Sequence, residues 1–299
     1  MHILKGYTKQ EISWMMYDWA NSAHSVIIVT LLPIFFDTVA GYTADSVSSM
    51  STWGYATSIA MLIVALAAPF LGVFGDIRGM RKKLFSFFML LGVAACAGMA
   101  FTPGMDFTSG PVAAGKVASL ILVLYIVSVI GFDASAIYYD AFLTDVTIED
   151  RMDKVSTMGY GLGYIGGSTI PLLIFLIMNL VGVPMLTCLA FVFGLTAVWW
   201  LAFSLPLLKN CEQTSGKPYE KGDVARSIKG VGTTIKEIIA NKPMLIYILS
   251  YFFYIDGVHT VISMATTYGT NLGLDSTGMM LALLLVQILG LPFCLLYMK

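Results

Sequence analysis

A chain of 299 residues that is 58% hydrophobic and only 12% charged, with a mean hydropathy of +0.81, cannot clothe a folded body in a water-soluble shell. Its net charge of −1 disfavours both a basic nucleic-acid binder and an acidic solubilising chain, which leaves a lipid bilayer and small solutes as partners, with no nucleic acid. Cys96, Cys188, Cys211 and Cys294 are far apart with no CxxC pair, so neither a disulfide framework nor a zinc site is supported; no metal and no cofactor is expected.

A helix crossing a bilayer needs about 20 apolar residues, because its backbone polar groups must pair within the segment. Eight stretches qualify: 12 to 36, 52 to 75, 84 to 102, 117 to 142, 155 to 181, 183 to 208, 243 to 268 and 278 to 298. The first follows Lys5 and Lys9 as a signal peptide would, but it lacks a small-x-small cleavage site and is read as a mature span. The expected fold is an all-α integral membrane bundle.

Basic residues fix the expected orientation. With the N-terminus cytoplasmic, Lys5, Lys9, Arg78, Arg81, Lys82, Lys83, Arg151, Lys154, seven basic residues from Lys209 to Lys242, and Lys299 all fall inside, and only Lys116 falls outside. The division predicted is 1–208, a first six-helix bundle; 209–242, a cytoplasmic linker; and 243–299, the first two helices of an incomplete second bundle. Gly216, Lys217-Pro218 and Gly222 punctuate the linker. Val224, Ile228, Val231, Ile235 and Ile238 then recur at helical spacing, with Arg226, Lys229 and Lys236 on other faces. That pattern fits a helix lying on the membrane surface, and equally a solvated basic linker of partial helicity.

An offset of 235 residues aligns Asn21-Ser22-Ala23-His24-Ser25-Val26-Ile27 in the first span with Asp256-Gly257-Val258-His259-Thr260-Val261-Ile262 in the seventh. Six spans separate the two copies, which is the parallel repeat of transporters whose halves face each other across a central site.

Asp18, Asp133, Asp140 and Asp256 lie within spans that carry no deep Lys or Arg. A carboxyl without a counter-charge in apolar surroundings favours its neutral form, the physics of proton coupling; the alternative is that it receives a substrate ammonium or a metal cation. Helical spacing places Asp256, Thr260, Ser263 and Thr267 on one stripe beside His259, and Asp18, Asn21, Ser22 and Ser25 on another beside His24. Asp133 and Asp140, seven apart, align at about 10 Å. Asp18 and Asp140 are expected nearer the inner surface, within reach of water. The competing reading is that these polar groups merely join helices by hydrogen bonds worth about 0.6 to 2 kcal/mol each.

Gly161-Leu-Gly163-Tyr-Ile-Gly166 spells a dinucleotide fingerprint, but no strand precedes it and no acidic residue follows at the required distance. Gly159, Gly163 and Gly167 instead repeat every four residues, the spacing that brings helices close, with Pro171 beyond as a kink candidate.

Three segments resemble the vacuole-effluxer-like branch of the major facilitator superfamily, which includes fungal vacuolar amino-acid effluxers and bacterial members. They are Tyr17-Asp18-Trp19-Ala20-Asn21-Ser22, Gly159 to Gly167, and Phe253-Tyr254-Ile255-Asp256-Gly257-Val258. A fourth, Gly72 to Lys82 with Asp76, Arg78, Gly79, Arg81 and Lys82, is similar to the superfamily loop between spans two and three, departing from it at Ile77 and Met80. The resemblance implies that this loop is a conformational latch whose acid packs on an eleventh span. It also implies twelve spans, of which eight are present here, and hence a truncated frame or a complementing chain.

The function expected is secondary transport of a small solute by alternating access, coupled to a proton or cation, in the plasma (inner) membrane of a bacterium. Amino-acid efflux is implied by the resemblance alone. A non-transporting receptor or partner subunit is the alternative. An intramembrane enzyme built on His24, His259 and Asp256 is a remote one, since HExxH and GxSxG motifs are missing.

Overall fold

The structure, a computed structural model, describes residues 4–43, 48–216, 218 and 223–297, with the backbone alone for 223–229 and 276. Lys217, Gly222 and Lys299 lie outside the described residues, as do the side chains of Val224, Arg226, Ile228 and Lys229. Among the described residues every regular element is helical. The helices are α1 (Lys9–Ala40), α2 (Ser49–Gly75), α3 (Arg81–Met99), α4 (Pro111–Val146), α5 (Glu149–Leu180), α6 (Met185–Asn210), α7 (Asp223–Ala240), α8 (Lys242–Asn271) and α9 (Ser276–Tyr297). All but α7 are long and apolar enough to cross a membrane, at positions matching the eight stretches read from the sequence.

The helices overrun those stretches because their ends are chemically terminated in the aqueous layers. Thr8 caps α1 in a reciprocal box: its hydroxyl accepts from Glu11 N–H at 3.1 Å, and the Glu11 carboxylate accepts from Thr8 N–H at 2.7 Å. Ser48 caps α2, and Pro111 opens α4 directly after Gly110 at φ +148.

α1 is the buried axis of the first six spans, packed by α4, α5 and α6 with α2 at its side. α3 crosses α4 where Gly92 meets Gly131, and Trp200 of α6 closes over Gly92. The core is aromatic: Tyr17, Phe85, Tyr139, Phe142 and Trp200 interlock with ring centroids 4.8 to 6.3 Å apart where they pair.

α5 is continuous but not uniformly α-helical. Gly163–Thr169 forms a π-helix, in which the Thr169 hydroxyl satisfies the Tyr164 carbonyl at 2.8 Å. Pro171, the kink candidate read from the sequence, stands two residues after this π-segment, in the first turn of the α segment that resumes at Ile170.

α9 packs on the side of α5 away from α1, with Leu291 over Gly161 and Tyr164 against Gly290, while α8 lies beside α1 and α2. α7 is an 18-residue helix packed against α2 and α8, with Ile235 and Ile239 exposed. The punctuated linker is thus helical over more than half its length.

Candidate transport pathway

Glu11 and Asp18 of α1 turn inward toward α4 and α5. Asp18 is 9% exposed, and its Oδ2 accepts a 2.8 Å hydrogen bond from the Tyr139 hydroxyl. Tyr139 is itself fixed: Trp14 stacks on it at 4.3 Å, and the Trp14 indole N–H donates to the Tyr139 carbonyl at 2.8 Å. No Lys or Arg among the described residues forms an ion pair with Asp18. The expectation that water reaches this carboxyl is corrected. α4 and α5 cover it, because the glycine face of α5 lets the backbone come within van der Waals distance.

That face is explicit. A Cβ at Gly159 would collide with the Asp18 carboxylate, one at Gly163 with the Ser22 hydroxyl, and one at Gly167 with the Trp19 carbonyl and Ser22 Cβ. At Gly166 it would fall inside the Trp19 ring. The π-turn opens the groove in which the Trp19 indole lies, and Trp19 in turn stacks on Trp199 at 6.3 Å.

Asp140 is exposed, yet close enough to Asp18 and Tyr139 to interact with them electrostatically. Asp133 is partly buried, has no hydrogen-bond partner among the described residues, and lies near enough to Tyr125 for its carboxylate to act on that phenol. Tyr125 is anchored by Thr57 at 3.0 Å and by Trp53 at 4.2 Å. Asn21 is buried and Ser25 half-buried on the same helix as Asp18.

His24 departs from the sequence reading. Rather than flanking an open polar face, it is 2% exposed, stacked on Phe132 at 4.8 Å and tilted against Trp200 at 5.1 Å. Neither ring nitrogen finds a partner among the described residues. Helical spacing put His24 one residue off the Asp18 stripe; the tight packing of α1 into α4 and α6 draws it into the aromatic core.

On α8, Asp256, His259 and Thr260 are exposed and form no hydrogen bond with α1 or α4. Ser263 and Thr267 are buried, and the Ser263 hydroxyl donates to the His259 carbonyl at 2.8 Å. The structure therefore joins Asp18 to Asp140 in one neighbourhood and leaves the α8 stripe apart from it. Sequence reasoning counted carboxyls and histidines and so missed the phenols Tyr17 and Tyr139; Tyr17 exchanges a 2.8 Å bond with Ser135 and accepts from Trp200 at 3.3 Å. The signal was there: Ser135 and Tyr139 are one turn apart on α4, immediately before Asp140.

The loop between α2 and α3 is tied to the end of α4. Arg81, 4% exposed, pairs with Asp145 at the end of α4 and donates to the Ala141 carbonyl at 3.0 Å. Asp76 stands 3.9 Å from Arg81 with its side chain 83% exposed. Gly79 takes φ +80, a left-handed turn, whereas Gly72 has open space around it. Arg78 and Lys83 are exposed and Lys82 is half-buried. Asp145 was missed because it follows a span and reads as a helix end. At the same end Glu11, 1% exposed, accepts from Arg151 at 2.8 Å through both of its oxygens and from Thr147 at 2.7 Å, tying α1 to the α4–α5 turn.

A carboxyl held by a neutral phenol, out of reach of any cation, can gain or lose a proton without losing its hydrogen bond. Eight helices long and apolar enough to cross a membrane, packed about such a group, form a polytopic membrane bundle. The sequence model described as vacuole effluxer Atg22 like matches residues 7–150 and 144–296, and the chain belongs to that family. The uncharacterized MFS-type transporter YxiO of Bacillus subtilis is 39% identical over 305 aligned positions, covering 99% of this chain and 68% of the relative. Autophagy-related protein 22-1 of Penicillium rubens is 26% identical over 159 positions, 49% of this chain and 27% of that protein. The protein of the same name from Sclerotinia sclerotiorum is 26% identical over 131 positions, 38% of this chain and 22% of the relative.

Proposed function

We propose that the chain carries the solute pathway of a secondary transporter that works by alternating access, coupled to a proton or cation and exporting amino acids. The observation that carries this reading is the buried Asp18 carboxyl, bonded to Tyr139 and free of any cation. A proton there would alter the α1–α4–α5 contact directly, because Gly159 brings α5 against that same carboxylate. Asp133 and Asp140 on α4 extend the acidic path in this reading, and Asp256, His259, Thr260 and Ser263 on α8 are the residues the second bundle would bring to it at another stage of the cycle. The division into 1–208, 209–242 and 243–299 belongs to this reading, as does a cytoplasmic N-terminus in a bacterial inner membrane; the basic residues gathered at one end support both. Export is supported by the family description, and amino acids by the motif resemblance alone.

The test is flux in proteoliposomes with a panel of radiolabelled amino acids and an imposed pH gradient. Wild type should show gradient-driven net flux of at least one of them. Asp18→Asn and Asp133→Asn should keep exchange at equal pH but lose the driven component. Driven flux unchanged in both variants would sink the coupling assignment, and no flux with any amino acid would sink the substrate class.

A further inference from the structure

The first residues after α6 do not behave as a free linker. Asn210 donates to the Ser13 hydroxyl at 2.9 Å, and the Cys211 thiol, fully buried, donates to the Gln10 carbonyl at 3.6 Å. The chain then crosses to the α2–α3 loop. There Gln213 donates to the Gly75 carbonyl at 2.9 Å and accepts from the N–H groups of Gly79 at 2.8 Å and Arg81 at 3.3 Å. One oxygen of Asp145 accepts from four donors: the N–H and hydroxyl of Thr214 at 3.0 and 2.9 Å, and those of Ser215 at 2.9 and 2.8 Å. Its other oxygen takes Arg81, whose guanidinium also reaches the Ser215 hydroxyl at 3.2 Å. Gly216 then lies so close to the Asp76 carbonyl that a Cβ would stand 2.7 Å from it.

We propose that the surface made by Gly75, Gly79, Arg81 and Asp145 is the docking site of the interbundle linker, with Gln213, Thr214 and Ser215 as its occupant. The linker is then anchored to the first bundle at the α2–α3 loop as well as at the end of α6.

The physical case is one of closure. The Asp145 side chain has no exposure, and the α2–α3 loop and the end of α4 alone do not satisfy its Oδ1; the linker does so with backbone and side-chain donors together. Lifting residues 213–215 uncovers a carboxylate and a guanidinium at once, so release is cooperative. This inference uses neither solute nor coupling ion and stands apart from the function proposed above.

Cys211 is the native reporter. In purified protein a water-soluble maleimide should label it slowly, and Gln213→Ala with Ser215→Pro, which removes six of the hydrogen bonds while leaving the Arg81–Asp145 pair, should speed labelling at least tenfold. Ser215→Thr should label as wild type does. The wild-type rate in a monodisperse double variant would overturn the docking. Should that variant fail to fold, hydrogen exchange of the wild-type protein decides: Thr214 and Ser215 amides exchanging at the rate of an unprotected loop overturn it equally.

Discussion

The Tyr139 hydroxyl donates to Asp18 at 2.8 Å on the side where Gly159 of α5 leaves no room for a side chain, so a single carboxyl is the contact point of three helices. Tyr139→Phe removes the donor and keeps the ring, its stacking on Trp14 and its backbone bond to that indole. The buried acceptor left behind should cost about 1–3 kcal/mol, read as a lower unfolding temperature in detergent. Asp18→Asn in the same background should recover part of the loss; additive losses would mean that the two groups do not act together.

The glycine face of α5 makes a graded prediction. Gly166→Ala places a methyl in the Trp19 ring and Gly163→Ala one against Ser22, so each should destabilise by about 1–3 kcal/mol or more. Gly257→Ala lies in the interior of α8 with nothing within 4 Å, and helix propensity alone should make it neutral to stabilising, by up to about 1 kcal/mol. Thermal unfolding of the three side by side checks the ordering. Equal effects would mean that α5 does not pack on α1 through this face.

Much of this architecture was legible because the bilayer leaves few options. A run of some 20 apolar residues must be a helix, and all eight were found within several residues of their ends. The ends were missed where caps and polar partners, not hydropathy, decide them: Thr8 with Glu11 starts α1 early, and Arg81 donates to the Ala141 carbonyl in the last turns of α4. Helical spacing set Asp18 and Ser22 on one face, and the structure turns both toward α5. It gave no means of knowing that the α5 glycines would bury Asp18, or that His24 would turn into the core. Depth in a membrane is readable from a window of sequence, whereas which neighbour covers a face depends on residues over a hundred positions away.

Arg81 and Asp145 form a buried pair at the foot of α4, and burial makes it costly to break from one side only. Arg81→Met should destabilise by about 3–5 kcal/mol, since it leaves Asp145 charged beneath the linker. Arg81→Met with Asp145→Asn should cost markedly less than the sum of the two single changes. A double-mutant cycle by thermal or denaturant unfolding measures the difference; a coupling near zero would mean that the four linker donors, not the guanidinium, hold Asp145.

His24 offers the sharpest separation of stability from function. An imidazole 2% exposed, lying against Phe132 and Trp200 with both nitrogens unpartnered among the described residues, pays for two polar atoms that its surroundings do not satisfy. A core selected for packing alone would place an apolar ring there. His24→Phe keeps the stacking and removes the polar atoms, so the unfolding temperature should rise, by a free energy on the order of 1–2 kcal/mol if the slightly larger ring is accommodated. If the proposed transport role holds for His24, gradient-driven flux should fall in the same variant, the imidazole then finding its hydrogen-bond partner in another stage of the cycle. A variant that is both more stable and fully active would make His24 a packing residue. One that unfolds more readily by over about 1 kcal/mol would show that its nitrogens are already satisfied in the folded state.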